Sequence, residues 1–158
     1  MRPTSYHFRH QMTVPAPRER VHDLLVDVFG YVDWWPQVRA VGRLGPDDAV
    51  LVCRSVLPYD LELLVHAVSR EPDRLEVDID GPLSGWVRWS LQPAGPAGTL
   101  LRLQQQVQVE AWQLAVGSWV GRPLLRANHR WMMRGAERGL RERLGSGGCQ
   151  DSAATAAS

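Results

Sequence analysis

The order of strand-like and helix-like segments constrains this chain more than any other feature. Six segments between residues 38 and 110 have the composition of β-strands, and short sequences rich in Pro, Gly and Asp separate them. The predicted strands are 38–44, 49–57, 61–70, 74–79, 85–91 and 100–110. Because such short connections join neighbouring antiparallel strands, we expect the six to form one antiparallel sheet.

A further strand and two helical segments precede this array. Residues 4–14 alternate polar and apolar side chains, which is the period-two pattern of a half-buried strand. Residues 18–29 place apolar side chains on one helical face, and Gly30 ends the segment. The aromatic segment 31–36 closes at a proline and is long enough for one helical turn.

Residues 119–144 are predicted to form a long C-terminal helix, because apolar residues recur there at helical spacing. Those apolar residues are Val120, Leu124, Trp131 and Met132. Gly121, Gly135 and Gly139 lie with Asn128 along the middle of the stripe, where a packed core would favour larger side chains. An interior helical glycine costs about 1 kcal/mol relative to alanine. We therefore interpret the glycines as facing a hollow that holds a ligand.

The resulting element order is β-α-α-β6-α, and it predicts an α+β fold. In that fold a seven-stranded, curved antiparallel sheet wraps around the long C-terminal helix. A chain of 158 residues suits a single domain, which we place at residues 1–144. Residues 145–158 are small, polar and aperiodic, so we expect a disordered tail there.

Composition excludes several classes of function. The formal net charge is +1, with 18 basic and 17 acidic residues interspersed, so we expect no nucleic-acid partner. Every basic residue is arginine, so no lysine side chain is present to form a Schiff base. No segment resembles a signal peptide or approaches the ~20 apolar residues of a membrane span, so we expect no stable membrane insertion.

Motifs for metals, cofactors and nucleophiles are also missing from the sequence. Cys53 and Cys149 form neither a disulfide framework nor a metal-ligand cluster, and they favour a reducing, cytoplasmic location. The chain has no His/Glu motif at one-turn spacing, no Gly-x-Ser-x-Gly and no phosphate-binding loop. We therefore expect no cofactor and no bound metal, and we assign no catalytic residue.

Several short strings occur in order inside the predicted elements. They are Asp33-Trp34-Trp35-Pro36, Leu57-Pro58-Tyr59, Gly81-Pro82-Leu83-Ser84-Gly85, Trp89-Ser90-Leu91, Gly98-Thr99 and Asn128-His129. Together, over residues 4–144, they resemble the START-like, helix-grip superfamily (SRPBCC), in its polyketide cyclase/dehydrase and lipid-transport branch. The resemblance implies a deep apolar cavity between the sheet and the C-terminal helix. It implies no universal catalytic residue.

Candidate ligand-binding residues follow from their predicted faces and from the cavity that the resemblance implies. They are Tyr6, Phe8, His10, Trp34, Trp35, Tyr59, Trp89, Gln105, Asn128, Trp131 and Met132. His10, Gln105 and Asn128 interrupt apolar faces, and a buried polar group needs a hydrogen-bond partner. Each of the three therefore contacts either a ligand or a structural partner. Of Trp34 and Trp35, one is expected to pack and the other to line the entrance, whereas His129 is expected at the rim.

Three hypotheses for function remain open. The first is a carrier or sensor that binds a small hydrophobic molecule such as a lipid, an isoprenoid or a polyketide. The second is a polyketide cyclase or aromatase with His10, Tyr6 or Tyr59 as acid or base, for which an acyl carrier protein would be a partner. The third is an interaction protein that uses a strip of arginines on the opposite face of the helix. The strip comprises Arg126, Arg130, Arg134, Arg138 and Arg141.

Overall fold

The computed structural model describes residues 4–56, 59–109 and 121–145. Within these ranges, seven strands and three α-helices follow the predicted order. They are β1 (Thr4–Val14), α1 (Arg18–Val26), α2 (Tyr31–Trp34), β2 (Val38–Arg43), β3 (Asp48–Cys53), β4 (Leu61–Glu71), β5 (Arg74–Asp80), β6 (Leu83–Ala94), β7 (Gly98–Val109) and α3 (Gly121–Gly145). A 3₁₀ turn, Val28–Gly30, joins α1 to α2.

All seven strands belong to one antiparallel sheet in the order β1-β7-β6-β5-β4-β3-β2. Strands β2 to β7 pair with their neighbours in sequence, as the short turns predict. Strand β1 pairs with the last strand, so α1 and α2 carry the chain from one edge of the sheet to the other. The predicted helix-grip fold, with its seven-stranded sheet around the C-terminal helix, is confirmed.

The main core lies between the inward face of the sheet and the helices. Strand β7 shows the alternation clearly, because Leu101 and Leu103 are buried whereas Arg102 and Gln104 are exposed. Burying one such leucine side chain contributes about 1.5–3 kcal/mol to folding. Leu140 of α3 is also fully buried, so the C-terminal half of this helix is a core element.

Gly135 and Gly139 of α3 are positions of close contact, and the prediction that these two glycines face a hollow is wrong. A Cβ atom at Gly139 would overlap the backbone carbonyl oxygen of Trp34, and one at Gly135 would overlap the side-chain amide of Gln37. The missing side chains let the α3 backbone lie directly on α2 and the start of β2. Gly121 begins α3, and its surroundings lie outside the described residues.

Two predicted elements end earlier than expected. Helix α1 stops at Val26, where the Asp27 carboxylate accepts a hydrogen bond from the Gly30 N–H at 3.3 Å and holds the 3₁₀ turn. Strand β3 stops at Cys53, and the Arg54 N–H just beyond it still donates to the Gln37 carbonyl oxygen at 2.6 Å, in register with the β2–β3 pairing. The predicted tail at 145–158 begins inside α3, since Gly145 is the last helical residue, and residues 146–158 lie outside the described residues, as do residues 57, 110, 119 and 120.

Candidate functional site

A cavity of about 410 Å³ lies between the inward face of the sheet and the helices. Small-molecule sites in proteins span roughly 300–1,000 Å³, so this volume is that of a ligand pocket. Apolar side chains dominate its wall, with Leu51, Leu63 and Val87 on the sheet and Met132 and Met133 on α3. The cavity can therefore hold a predominantly apolar molecule.

The position of α3 explains why this space is not filled. The helix makes its main contacts with β1, α1 and α2, and Gly135 and Gly139 let it approach Gln37 and Trp34 closely. The inward faces of the middle strands β3 to β5 line the cavity instead of packing against α3. The predicted cavity is present, but the glycines of α3 do not face it. The cavity exists because α3 packs against β1, α1 and α2 and leaves the middle strands uncovered.

Some of the candidate residues lie in the cavity wall. They are Phe8, Trp35, Trp89, Gln105, Asn128 and Met132. Trp35 also donates a hydrogen bond from its indole Nε1 to the Met132 carbonyl oxygen at 3.1 Å, so this ring is fixed against α3. Of the two tryptophans in the Asp33-Trp34-Trp35-Pro36 string, Trp35 lines the cavity and Trp34 packs beneath α3. The expectation that one of them lines the entrance stays a prediction.

Gln105 is a half-buried amide in the cavity wall. It lies in the middle of β7, directly opposite Phe8 of β1 and Val87 of β6. Its side chain has no hydrogen-bond partner among the described residues. Because a buried amide needs partners for its two donors and its carbonyl oxygen, this group is free to bond a molecule in the cavity.

Asn128 has a structural partner. Its Oδ1 atom accepts a hydrogen bond from the Val56 N–H at 2.9 Å, which ties α3 to the segment that follows β3. The same side chain lines the cavity, so the bond closes the wall at that point. Of the two alternatives for Asn128, a ligand or a structural partner, the structure therefore shows the structural partner. A contact with a ligand would come in addition to this bond.

His129 lines the cavity, although the sequence predicts a rim position. Its imidazole stacks on the Phe8 ring, with 4.3 Å between ring centroids and 17° between planes. Burial, reinforced by nearby His10, lowers the pKa of His129 to about 4. The ring is therefore neutral near pH 7, and its buried Nε2 has no hydrogen-bond partner among the described residues.

The helical spacing contains the signal that identifies His129. The side chains of α3 that line the cavity or fill the core are Leu125, His129, Met132, Met133, Ala136 and Leu140. These positions recur every three or four residues and form one helical stripe. The predicted stripe through Leu124 and Trp131 is rotated from it by about one residue, or 100°.

His10 faces α3 rather than the cavity. Its Nε2 atom lies 3.5 Å from the Glu137 carboxylate, which also forms an ion pair with Arg141 at 2.8 Å. This acidic neighbour is not apparent in the sequence, because it comes from an element more than a hundred residues away. The His10 ring therefore lies beside an acidic group of α3 and outside the described cavity wall.

The other candidates also lie outside the cavity wall that the structure describes. Tyr6 packs with Val107 and Val109 in a small separate cluster. The Tyr59 side chain is 55% exposed. Trp131 contributes its backbone carbonyl, which accepts a hydrogen bond from the buried Gln37 amide at 3.1 Å.

Two further groups in the wall could serve as nucleophiles, but burial suppresses both. Burial raises the pKa of the Cys53 thiol to about 12, so the reactive thiolate is scarce near pH 7. Burial also raises the pKa of Tyr31, whose hydroxyl donates to the Leu25 carbonyl oxygen at 2.6 Å. Within the described ranges, no group of three acidic, histidine or cysteine side chains is arranged to hold a metal ion.

The helix-grip fold and its ligand-sized apolar cavity define a START-like protein. A family model described as polyketide cyclase / dehydrase and lipid transport matches residues 5–145, so the chain belongs to that family. No curated protein matches the sequence. In the described parts of the chain, no helix has both the length and the apolar character that crossing a membrane requires.

Solved structures resemble this fold closely at low sequence identity. A START superfamily protein from Mycobacterium smegmatis is 17% identical, with a TM-score of 0.74 over 89% of this chain and 97% of that one. The Zhui aromatase/cyclase from Streptomyces sp. R1128 is 16% identical, with a TM-score of 0.74 over 90% and 94%. A conserved protein from Geobacillus kaustophilus is 11% identical, with a TM-score of 0.74 over 89% and 96%. At these identities the likeness shows the fold alone.

Proposed function

We propose that this protein binds a small hydrophobic molecule, such as a lipid, an isoprenoid or a polyketide, as a carrier or sensor. The observation that carries the proposal is the cavity of about 410 Å³ and its mostly apolar wall. Transfer of apolar ligand surface from water to such a wall contributes about 25 cal/mol per Å². Binding would therefore be driven mainly by the hydrophobic effect.

The few polar groups of the wall would orient the ligand. The Gln105 amide has no hydrogen-bond partner in the part of the chain that the structure describes. The neutral His129 ring lies close by, because Gln105 is directly opposite Phe8 in the sheet and His129 stacks on the Phe8 ring. An amide can donate to a carbonyl group or accept from a hydroxyl group. A single hydroxyl or carbonyl on an otherwise apolar ligand would match this arrangement.

A fluorescent apolar probe tests the proposal on a matched pair of variants. Leu63 lines the cavity, whereas its neighbour Leu64 is 44% exposed on the outer face of β4. Titration with N-phenyl-1-naphthylamine should show binding to the unmodified protein and to Leu64→Trp. Binding to Leu63→Trp should be weakened about ten-fold or more, because the indole occupies ligand space. Equal binding to both variants would contradict the proposal.

A polyketide cyclase or aromatase is the second candidate function. The family description and the fold likeness to the Zhui aromatase/cyclase support it. His10, Tyr6 and Tyr59 lie outside the described cavity wall, so an acid or base would instead come from neutral His129. The cavity could contribute by holding a flexible chain in a reactive conformation, and an acyl carrier protein would deliver that chain.

A direct assay separates this enzyme from a carrier. The protein is mixed with a poly-β-ketone attached to an acyl carrier protein, and ring-closed products are followed by mass spectrometry. The cyclase function requires faster closure than in a protein-free control, and closure should slow in His129→Phe. Spontaneous rates with the unmodified protein would exclude the cyclase and leave the carrier.

We further propose that residues 1–144 form a single ligand-binding domain and that the protein works in the cytoplasm. The chain has two cysteines and no disulfide framework, and Cys53 is free and buried, which suits a reducing compartment. Cell fractionation with an antibody against the protein tests the location. Recovery in the soluble cytoplasmic fraction is expected.

A further inference from the structure

The charged residues of the cavity wall are concentrated near the β2–β3 turn. We define the charged mouth as Phe29, Arg43, Asp47, Asp48 and Arg70, all of which line the cavity. The uncharged wall around Cys53 and Asn128 lies toward the other end of β3. Asp48 and Cys53 are five residue steps apart along the extended strand, which is about 17 Å. The cavity is therefore polar at one end and uncharged at the other.

The charged mouth is open to solvent. The side chains of Asp47, Asp48 and Arg70 are 45%, 49% and 46% exposed, although each lines the cavity. The Phe29 ring of the 3₁₀ turn is also exposed. The cavity wall therefore borders solvent at this end.

Arg43 is the cation of the charged mouth without an acidic partner among the described residues. The other charged groups of the wall are paired: Asp47 with Arg70 at 2.7 Å, Asp48 with His66 at 2.7 Å, and Glu76 with Arg88 at 3.0 Å. The Asp27 carboxylate, which also lines the cavity, accepts from the Gly30 N–H. Among the described residues, the Arg43 guanidinium lies over the Phe29 ring, with its carbon 4.6 Å from the ring centroid, and it has no hydrogen bond or ion pair.

This contact leaves the guanidinium available for a ligand. A guanidinium above an aromatic ring keeps its N–H donors in its own plane, where they can form two parallel bonds to a carboxylate. One unpaired cation matches a single negative charge. The carboxylates of Asp27, Asp47 and Asp48 line the same cavity, and they repel a doubly charged group such as a phosphate monoester more strongly than a singly charged carboxylate.

We propose that the ligand is a carboxylate with an apolar chain, held with the carboxylate on Arg43 and the chain directed toward Gln105 and His129. This inference rests on the proposed ligand-binding function and adds the charge and orientation of the ligand. A fatty acid has this chemistry. Its head would remain in the solvent-exposed mouth, so the carboxylate would stay partly hydrated and would not be buried without a partner.

Dodecanoate and dodecan-1-ol test the proposal, since they share an apolar chain and differ in the charged head. Calorimetric titrations would use the unmodified protein, Arg43→Gln and the control Arg102→Gln. Arg102 is an exposed residue of β7 that donates hydrogen bonds to Gln11 of β1 and Gln92 of β6. Dodecanoate should bind the unmodified protein and Arg102→Gln about ten-fold more tightly than it binds Arg43→Gln. Dodecan-1-ol should bind all three proteins equally, which also shows that the variants are folded.

Two other outcomes would overturn the proposal in distinguishable ways. Equal dodecanoate binding by Arg43→Gln and Arg102→Gln, with dodecan-1-ol and the naphthylamine probe still bound, would refute the role of Arg43 alone. If the unmodified protein binds none of the three molecules, the proposed ligand-binding function fails as well.

Discussion

The histidine at position 129 shows how burial sets the chemistry of a single side chain. Its ring lies against Phe8 in an apolar wall, where a charged imidazolium would lose hydration. Its pKa of about 4 lies below the value of about 6.5 in an unfolded chain. Between these values the unfolded chain binds more protons, so the contribution of His129 to stability is lost as the pH falls from 6.5 toward 4.

Substitution of His129 should reduce the acid sensitivity of folding. Urea unfolding of the unmodified protein should show a loss from this group of about 1–2 kcal/mol between pH 7 and pH 4, after allowance for solvent screening. In His129→Phe that part of the loss should vanish, because the new ring stacks on Phe8 and does not titrate. The exposed His7 on the outer face of β1 supplies the control His7→Gln. Equal acid losses in both variants would contradict this explanation.

The Asn128 side chain holds the wall together through one hydrogen bond, and its stability effect should reflect that bond. Asn128→Ala leaves the Val56 N–H without its acceptor and should lower the free energy of unfolding by about 0.5–1.5 kcal/mol. Asn128→Asp keeps an acceptor oxygen and should retain most of the stability. Thermal unfolding of both variants measures the difference. An Asp variant as unstable as the Ala variant would show that the bond is unimportant.

Helix α3 is positioned by close backbone contact, and Gly139 is the sharpest test of this arrangement. Gly139→Ala gains about 1 kcal/mol in helix propensity but forces a methyl group against the Trp34 carbonyl. Overpacking of this kind typically costs about 1–3 kcal/mol, so net destabilisation is expected in urea unfolding. Gly145, with no neighbour within 4 Å of an added Cβ, provides the control Gly145→Ala. Stabilisation by Gly139→Ala would instead indicate open space.

Local patterns were sufficient to predict the elements and their order. Turn residues such as those at 45–48 and 81–82 separate strands, and alternation in β7 correctly places Gln105 on the inward face. Turn residues and strand alternation are both local patterns of a few residues, so they can be recognised in the sequence alone. The ends of elements are less well marked in the sequence, since α1 stops at Val26 and β3 stops at Cys53, both before the predicted boundaries.

Contacts between distant elements explain what the sequence could not reveal. Glycines on one helical stripe predict equally a hollow and a close approach, and only the position of α2 distinguishes them. The inward face of β1 includes His10, but its Glu137 neighbour comes from α3. Apolar residues flank both sides of the α3 stripe, so the predicted stripe was rotated and missed His129.

At the scale of the whole molecule, the cavity is a consequence of topology. Strand β1 closes on β7, and α1 and α2 cross to the far edge, so α3 rests on β1, α1 and α2. The helices therefore do not cover the middle of the sheet, and a cavity of about 410 Å³ remains there. A bound molecule would complete this core and stabilise the folded state, by about 2.7 kcal/mol at a hundred-fold excess over its Kd.

Mass spectrometry of molecules that copurify with the protein tests the central claim most directly. The unmodified protein, Leu63→Trp and Leu64→Trp would be purified from the same cells without detergent, extracted with organic solvent and compared. We expect an apolar molecule in near-stoichiometric amount with the unmodified protein and with Leu64→Trp, and a strongly reduced amount with Leu63→Trp. Equal amounts from all three proteins, or no apolar molecule from any of them, would contradict ligand binding in the cavity.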